Sequence, residues 1–391
     1  GYTIENFLSL INLYDCAPDE DLRTLSQMTM DVLLLDMICD STENGMYGGA
    51  HGRSYDSVTT DMRCRFFWVY QFYFGEHSYN EVPAAEREIS LSNVPFAFTS
   101  TYRPHDIVYA IANGKQYPFS NYELSHNPAS QFEQLEYGYL NKYTYNTALY
   151  SIGCVTHQDP YPDNSPDKKT EDTQQTNWSL VFAENSKASI TVHHPGGTNS
   201  HNYWYGDADC NCNHLFGHEN VVCGIFYMPA NAANFNFIHA YVPKTQYDEI
   251  IERPEDGCVF VRVGDAYAAL RFSAPYTRGG KDPAKELVIY DGTRRSDIRI
   301  AMACEAGDRE TYGSFAAFVA AMEKKELRFT RDTLTLEYGN IGIRLERNKL
   351  KQVEEHNYLD GVEQTYPYTR TFDSPYMKSE ADSGVIEVTY G

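Results

Sequence analysis

The apolar period of this chain changes once, near Lys115, and that change limits what it can fold into. Before it, apolar side chains recur every three or four residues. Phe7, Leu10, Ile11 and Tyr14 mark one helix face, and Leu22, Leu25, Met28, Val32, Leu35 and Cys39 mark a second. Pro18 and the acidic run Asp19-Glu20-Asp21 suit the start of that second helix. A third helix is predicted over about 58–74, carrying Met62, Phe66, Val69, Tyr70 and Tyr73. A short fourth one covers 106–112, between Pro104 and Gly114.

After Lys115 the period becomes two. Tyr137, Tyr139, Tyr143 and Tyr145 alternate with other residues. Strand-like runs cover 178–183, 188–193, 221–228, 235–242, 258–263, 267–272, 286–290 and 299–304, separated by Gly, Asn, Asp and Pro. Only 314–327 returns to a helical pattern. Many strands with no helices between them predict antiparallel sheets stacked as a sandwich, not a parallel α/β fold. The reading is therefore an α+β chain with a helical domain over 1–114 and a β-sandwich domain over 115–391. The polar stretch 159–176 reads as a long surface loop.

Charge narrows the function classes. A net charge of −22 argues against nucleic acid, which needs a basic footprint, and weakly against polyanionic substrates. No run of eighteen apolar residues exists, so no membrane span is expected. The 32 tyrosines supply flat faces with polar tips, which suit both sugar rings and large sheets. Nine scattered cysteines, several on apolar faces, resemble reduced buried thiols more than a disulfide framework. The chain opens with Gly-Tyr-Thr and enters a helix at once, which reads as a piece of a longer protein. Cytoplasmic and periplasmic or secreted locations both stay open, as does the oligomeric state.

The densest chemistry lies in Asn44-Gly-Met-Tyr47-Gly-Gly-Ala-His51-Gly-Arg53-Ser-Tyr55, directly after the second helix. Imidazole, guanidinium and two phenols fall on a backbone loosened by Gly45, Gly48, Gly49 and Gly52. Such a set suits proton removal next to a carboxylate: a base, an acid and a fixed cation for the developing charge. The plainer reading is a connection whose polar groups satisfy one another.

Further candidates come with equally plain alternatives. The stretch His193–Tyr205 offers His201, Asn202, Tyr203 and Trp204 for gripping a sugar. His193 and His194 point to opposite faces if the strand continues, so at most one lines a site. The stretch 207–219 holds Cys210, Cys212, His214, His218 and Glu219, which could ligate zinc, although the spacing matches no standard motif. An Asn/Asp-rich loop with two buried thiols is the alternative. Arg103 and His105, with Ser125-His126-Asn127, lie where helices give way to sheet, a common place for ligand sites. His77, His157, His239 and His356 read as satisfied core or surface residues.

Helices carrying the Tyr47–Tyr55 motif lead into a long β region containing Gln175-Thr-Asn-Trp-Ser, His193-His-Pro, Gly264-Asp-Ala-Tyr-Ala-Ala-Leu270 and Cys304-Glu-Ala-Gly307. This order resembles large bacterial polysaccharide lyases of the heparinase II/III-like, chondroitin-lyase-like and alginate-lyase-like kinds. The resemblance implies the closing helices of an (α/α) toroid followed by a large antiparallel β-sandwich. It implies β-elimination on an acidic, uronic-acid-containing glycan, with Tyr55 or Tyr47 as the acid/base phenol, His51 as its partner and Arg53 clamping the carboxylate. A phenol needs a neighbouring cation to lower its pKa for that work. No cofactor is implied, with room left for a structural divalent ion. Two other classes stay open: a toroid-type glycoside hydrolase, for which Glu43, Asp56, Glu123 and Glu219 form no telling carboxylate pair, and a non-catalytic sugar-binding or structural module.

Overall fold

The computed structural model describes residues 3–52, 65–75, 95–126, 139–158, 175–185, 187–193, 213–228, 237–280, 282–290, 298–347, 353–366 and 369–390. It is dominated by antiparallel sheets. An eleven-stranded sheet runs in the order Tyr276–Arg278, Glu286–Ile289, Ile238–Tyr241, Ser189–His193, Trp178–Phe182, Tyr150–Gln158, Tyr139–Asn146, Phe119–His126, Arg370–Asp373, Met377–Glu380 and Glu387–Val388. A six-stranded sheet holds Glu249–Arg253, Cys258–Val263, Ala266–Phe272, Ile298–Asp308, Val221–Met228 and Asn213–His218. A five-stranded sheet holds Leu327–Thr330, Thr335–Tyr338, Ile341–Arg347, Val353–Leu359 and Val362–Glu363.

Side-chain alternation explains why these sheets stack in three layers. In Val221–Met228, Val222 and Phe226 join the core shared with the large sheet, whereas Cys223, Ile225 and Tyr227 join the core shared with the five-stranded sheet. Ile300, Met302 and Cys304 face one way, and Ala301 and Ala303 the other. Successive side chains on a strand point to opposite faces, so a strand apolar at every position is sandwiched on both sides. Trp178 is fully buried in the first of these cores, and its indole N–H donates to the Val192 carbonyl at 3.0 Å. The helix Phe315–Met322 covers part of the six-stranded sheet with Phe315, Phe318 and Met322. The predicted strands at 221–228 and 258–263 have the bounds expected, and the others shift by a few residues at either end.

The expectation of an α+β chain with a toroid is corrected here: the described residues are β-rich. Among the described residues, helices are few and short, and they form no ring. Helices α1 (Thr3–Cys16) and α2 (Glu20–Cys39) are joined by three residues and pack on each other. With Arg65–Phe74, Pro95–Thr99 and Asp106–Gly114 they build one small core, completed by Phe119 and Met377 from the large sheet and by Tyr376 from the bend before Met377–Glu380. The helices thus lean on the sheet instead of closing on themselves. The sandwich part of the expected architecture matches the stacked antiparallel sheets.

The start of α2 is as read: the Asp19 carboxylate accepts from the Leu22 backbone N–H at 3.1 Å. Its buried face is not. Over the first half of the helix, Ser26 and Met30 are buried while Leu25 and Met28 are each 60% exposed. Ser26 can face the core because its hydroxyl donates to the Leu22 carbonyl at 2.7 Å. A hydroxyl satisfied by its own helix behaves as a small apolar group, which a count of apolar residues overlooks.

Beyond Asp40 the glycine-rich stretch lies against the large sheet. Gly48 N–H donates to the Asp40 carbonyl, Gly49 N–H to Ser179, and the Ser179 hydroxyl returns to the Gly49 carbonyl at 2.8 Å. Gly49 has φ +79°, a conformation that favours glycine. His51–Gly52 then pairs antiparallel with Gln175–Thr176, so part of the expected 159–176 loop is a short strand.

Candidate functional site

Two polar groupings lie on opposite faces of the large sheet, where Phe119–His126 pairs with Tyr139–Asn146. Their register sets Glu123 opposite Lys142 and Tyr122 opposite Tyr143. Alternation sends the first pair to the helical side and the second to the side of the six-stranded sheet.

On the helical side, Asp36 and Asp40 from the last turns of α2 meet Asn121, Glu123 and Lys142. The Asn121 amide donates to Asp40 at 2.9 Å and to Glu123 at 2.7 Å. Lys142 forms ion pairs with Glu123 and, at 3.4 Å, with Asp40. Three carboxylates share one ammonium in a buried place, so protons are held tightly. Burial, reinforced by Asp36, raises Glu123 to about 7; burial, reinforced by Glu123, raises Asp40 to about 6. Burial opposes the charge on Lys142, yet Glu123, Tyr47, Asp40 and Asp36 together raise its pKa. One oxygen from each of Asp36, Asp40 and Glu123 lies within 4.8 Å of the others, a spacing suited to a hard cation. The Lys142 ammonium, bridging Asp40 and Glu123, already supplies positive charge there.

Tyr47 belongs to this grouping. It is half-buried, with its hydroxyl 3.5 Å from the Ala50 carbonyl. Burial and the surrounding carboxylates raise its pKa above that of an ordinary phenol, with Lys142 pulling the other way. A catalytic base needs a shift in the opposite direction. His51 is placed by its backbone alone, and Arg53 and Tyr55 lie outside the described residues.

A second buried ammonium ends α2. Lys115 Nζ donates to the carbonyls of Ile38 and Ser41, each at 2.9 Å, to the Ser41 hydroxyl and to the Thr42 carbonyl. Carbonyls at a helix C-terminus lack partners within the helix, and a cation there also meets the favourable end of the dipole. Burial lowers the Lys115 pKa to about 7, with Cys39, Glu43 and Asp40 pulling it back up.

On the other face lies a cavity of about 330 Å³. The large sheet contributes Tyr122, Asn141 and Thr156. The edge strand of the six-stranded sheet contributes Phe216, Gly217 and His218. The returning C-terminal stretch contributes Gln364, Thr365, Tyr366, Thr369, Arg370 and Asp373, and parts of Glu123 and Lys142 complete the lining. Tyr122 is 46% exposed, and its ring lies 5.0 Å from that of Tyr143 at an angle of 48°. Burial, with Asp373 and Glu219 nearby, raises the Tyr122 pKa, so its hydroxyl stays a donor at neutral pH. Asp373 reaches this face because Arg370–Asp373 pairs beside Phe119–His126, with Asp373 opposite Tyr122.

The remaining candidates separate. His201, Asn202, Tyr203 and Trp204 lie outside the described residues, as do Cys210, Cys212, His194 and His77. His193 is buried against His239, with ring centroids 4.1 Å apart, and faces the interior. His214 pairs with Glu355 at 3.2 Å, tying the six-stranded sheet to the five-stranded one. His356 pairs with Glu363 at 2.6 Å. Glu219 is exposed in the turn after His218, with φ +46°. Among the described residues, His214, His218 and Glu219 do not gather into a metal-ligating group. Arg103 donates to the carbonyls of Ser100 and Tyr102, and His105 caps Asp106–Gly114 by accepting from the Ile107 N–H at 3.3 Å. Both hold the helical corner together, and neither lines the cavity. Of the described residues singled out from sequence, His218 lines it, as does part of Glu123.

No known family model matches the chain, and no curated protein matches it either. Among the described residues, no helix is long and apolar enough to cross a membrane.

Proposed function

We propose that this protein binds carbohydrate, with a sugar ring seated in the cavity beside Tyr122. The half-exposed Tyr122 ring, fixed against Tyr143 at the edge of a polar cavity, carries this reading. A sugar has an apolar C–H face and a rim of hydroxyls. A flat aromatic ring covers the first, and amides, hydroxyls and carboxylates bond the second. Asn141, Gln364, Thr365, Thr369 and Asp373 offer such groups around the ring. The volume falls at the lower end of the roughly 300–1,000 Å³ of small-molecule sites, which suits one or two sugar units.

The reading is of binding, not bond cleavage. On the helical side of the sheet three carboxylates share the Lys142 ammonium, and burial among them keeps Tyr47 protonated. The test is a glycan array probed with the 391-residue protein and with Tyr122→Ala. Retention lost in the variant, with an unchanged melting temperature, is the expected result. Equal retention of the two proteins, or no retention of either, would overturn it. Release of an unsaturated uronide from a bound glycan would show turnover and overturn the non-catalytic part.

A further inference from the structure

We infer that the sugar this cavity takes is uncharged. This rests on the carbohydrate reading above and deepens it. Among the described residues, the strong cation whose side chain is on the cavity's face of the sheet, Arg370, already stands beside carboxylates. Arg370 is ion-paired with Asp373 and lies 3.7 Å from Glu380. Lys142 points to the helical face, where it is ion-paired with Glu123 and lies 3.4 Å from Asp40. Asp373 itself lines the cavity, and Glu219 is close enough to act on the Tyr122 phenol. The local balance is therefore negative, in a chain whose net charge is −22.

A uronate entering such a place meets like charge at close quarters, which costs binding free energy. It would have to compete with Asp373 and Glu380 for Arg370. A neutral sugar meets no such conflict. Its hydroxyls donate to Asp373 in charge-assisted hydrogen bonds, stronger than those between neutral groups. The acidic glycan expected from the family resemblance is thus the poorer fit.

The experiment compares neutral and uronic-acid oligosaccharides on one array, with affinities of retained glycans measured by titration calorimetry. Wild type, Tyr122→Ala and Asp373→Asn are used. Neutral oligosaccharides are expected to bind, and Tyr122→Ala to weaken them on the order of tenfold. Asp373→Asn, which frees Arg370, is expected to shift preference toward uronates. Tighter binding of uronates than of neutral sugars by wild type, lost in Tyr122→Ala, would overturn this inference and leave the carbohydrate reading standing. No retained glycan, or retention indifferent to Tyr122, would overturn both.

Discussion

Glu123 and Lys142 stand directly opposite each other on neighbouring strands and form an ion pair beneath the helices. The pair sits with Asp40 and Asp36, so Lys142 offsets more than one negative charge. Removing one partner of a buried pair leaves an uncompensated charge, at a cost of about 3–5 kcal/mol. Lys142→Met is therefore expected to destabilise the protein by about that amount, measured by urea unfolding. Glu123→Gln should cost clearly less, because it removes one of the excess carboxylates. Equal losses in the two variants would show that the charge imbalance is not what matters.

The same grouping predicts a pH dependence. The folded protein holds Glu123 at about 7 and Asp40 at about 6, above their ordinary values of 4.5 and 3.8. Between these limits the folded state binds more protons than the unfolded chain, so stability falls as pH rises. The contribution is whole below about pH 4 and gone above about pH 7. Urea unfolding across this range should show the decline, and Glu123→Gln should flatten its upper part. A wild-type profile that rises from pH 5 to 7 would contradict the placement of these carboxylates.

How much of this was legible in the sequence depended on the range over which each signal acts. The switch of period near Lys115 is local, and it located the sheets. The cap at Asp19 and the helix Asp106–Gly114 are local as well, and they were found. The buried face of α2 was misplaced, because Ser26 hides its hydroxyl within the helix and reads as polar. The toroid comes from the family resemblance, and the amphipathic helices themselves say only that a face is covered, not by what. Here the partner is the face of the large sheet at Phe119, with Tyr376 beside it. The cavity was the hardest to see. Tyr122 and Asp373 meet across about 250 residues of chain, and nothing near either one announces the other.

Lys115 sits just where the helical pattern ends, and its ammonium replaces the missing turn of α2 by meeting carbonyls of Ile38, Ser41 and Thr42. Lys115→Met keeps the length of the side chain but removes this donor from the Ser41 carbonyl, while Ile38 keeps the Ser41 N–H and Thr42 the Gly45 N–H. Each unsatisfied buried group costs about 1–3 kcal/mol, and a hydrogen bond to a charged group contributes about 1.5–3 kcal/mol. A loss of at least about 2 kcal/mol is expected, with α2 fraying from Cys39 backward. Hydrogen exchange at the backbone amides of 36–42 checks the second part: protection should fall there before it falls in the sheet cores. Uniform loss across the molecule would show that Lys115 does not cap this end.

Gly48 gives the sharpest test of what the glycine-rich stretch is for. A Cβ placed on it would lie 2.4 Å from the Ser151 hydroxyl and 2.7 Å from the Ser151 carbonyl oxygen. The second contact is with backbone, so rotating the serine side chain cannot relieve the clash. Gly48→Ala must lift the 45–50 segment off the sheet, straining the Gly49–Ser179 hydrogen bonds. Overpacking of this kind costs about 1–3 kcal/mol. The cavity beside Tyr122 is on the far face of the sheet, so glycan retention per folded molecule should survive. Loss of thermal stability with retained binding is the expected pair of results. A Gly48→Ala protein as stable as wild type would mean that the loop does not press on Ser151. A stable one that had lost binding would move the functional site back to the glycine-rich stretch.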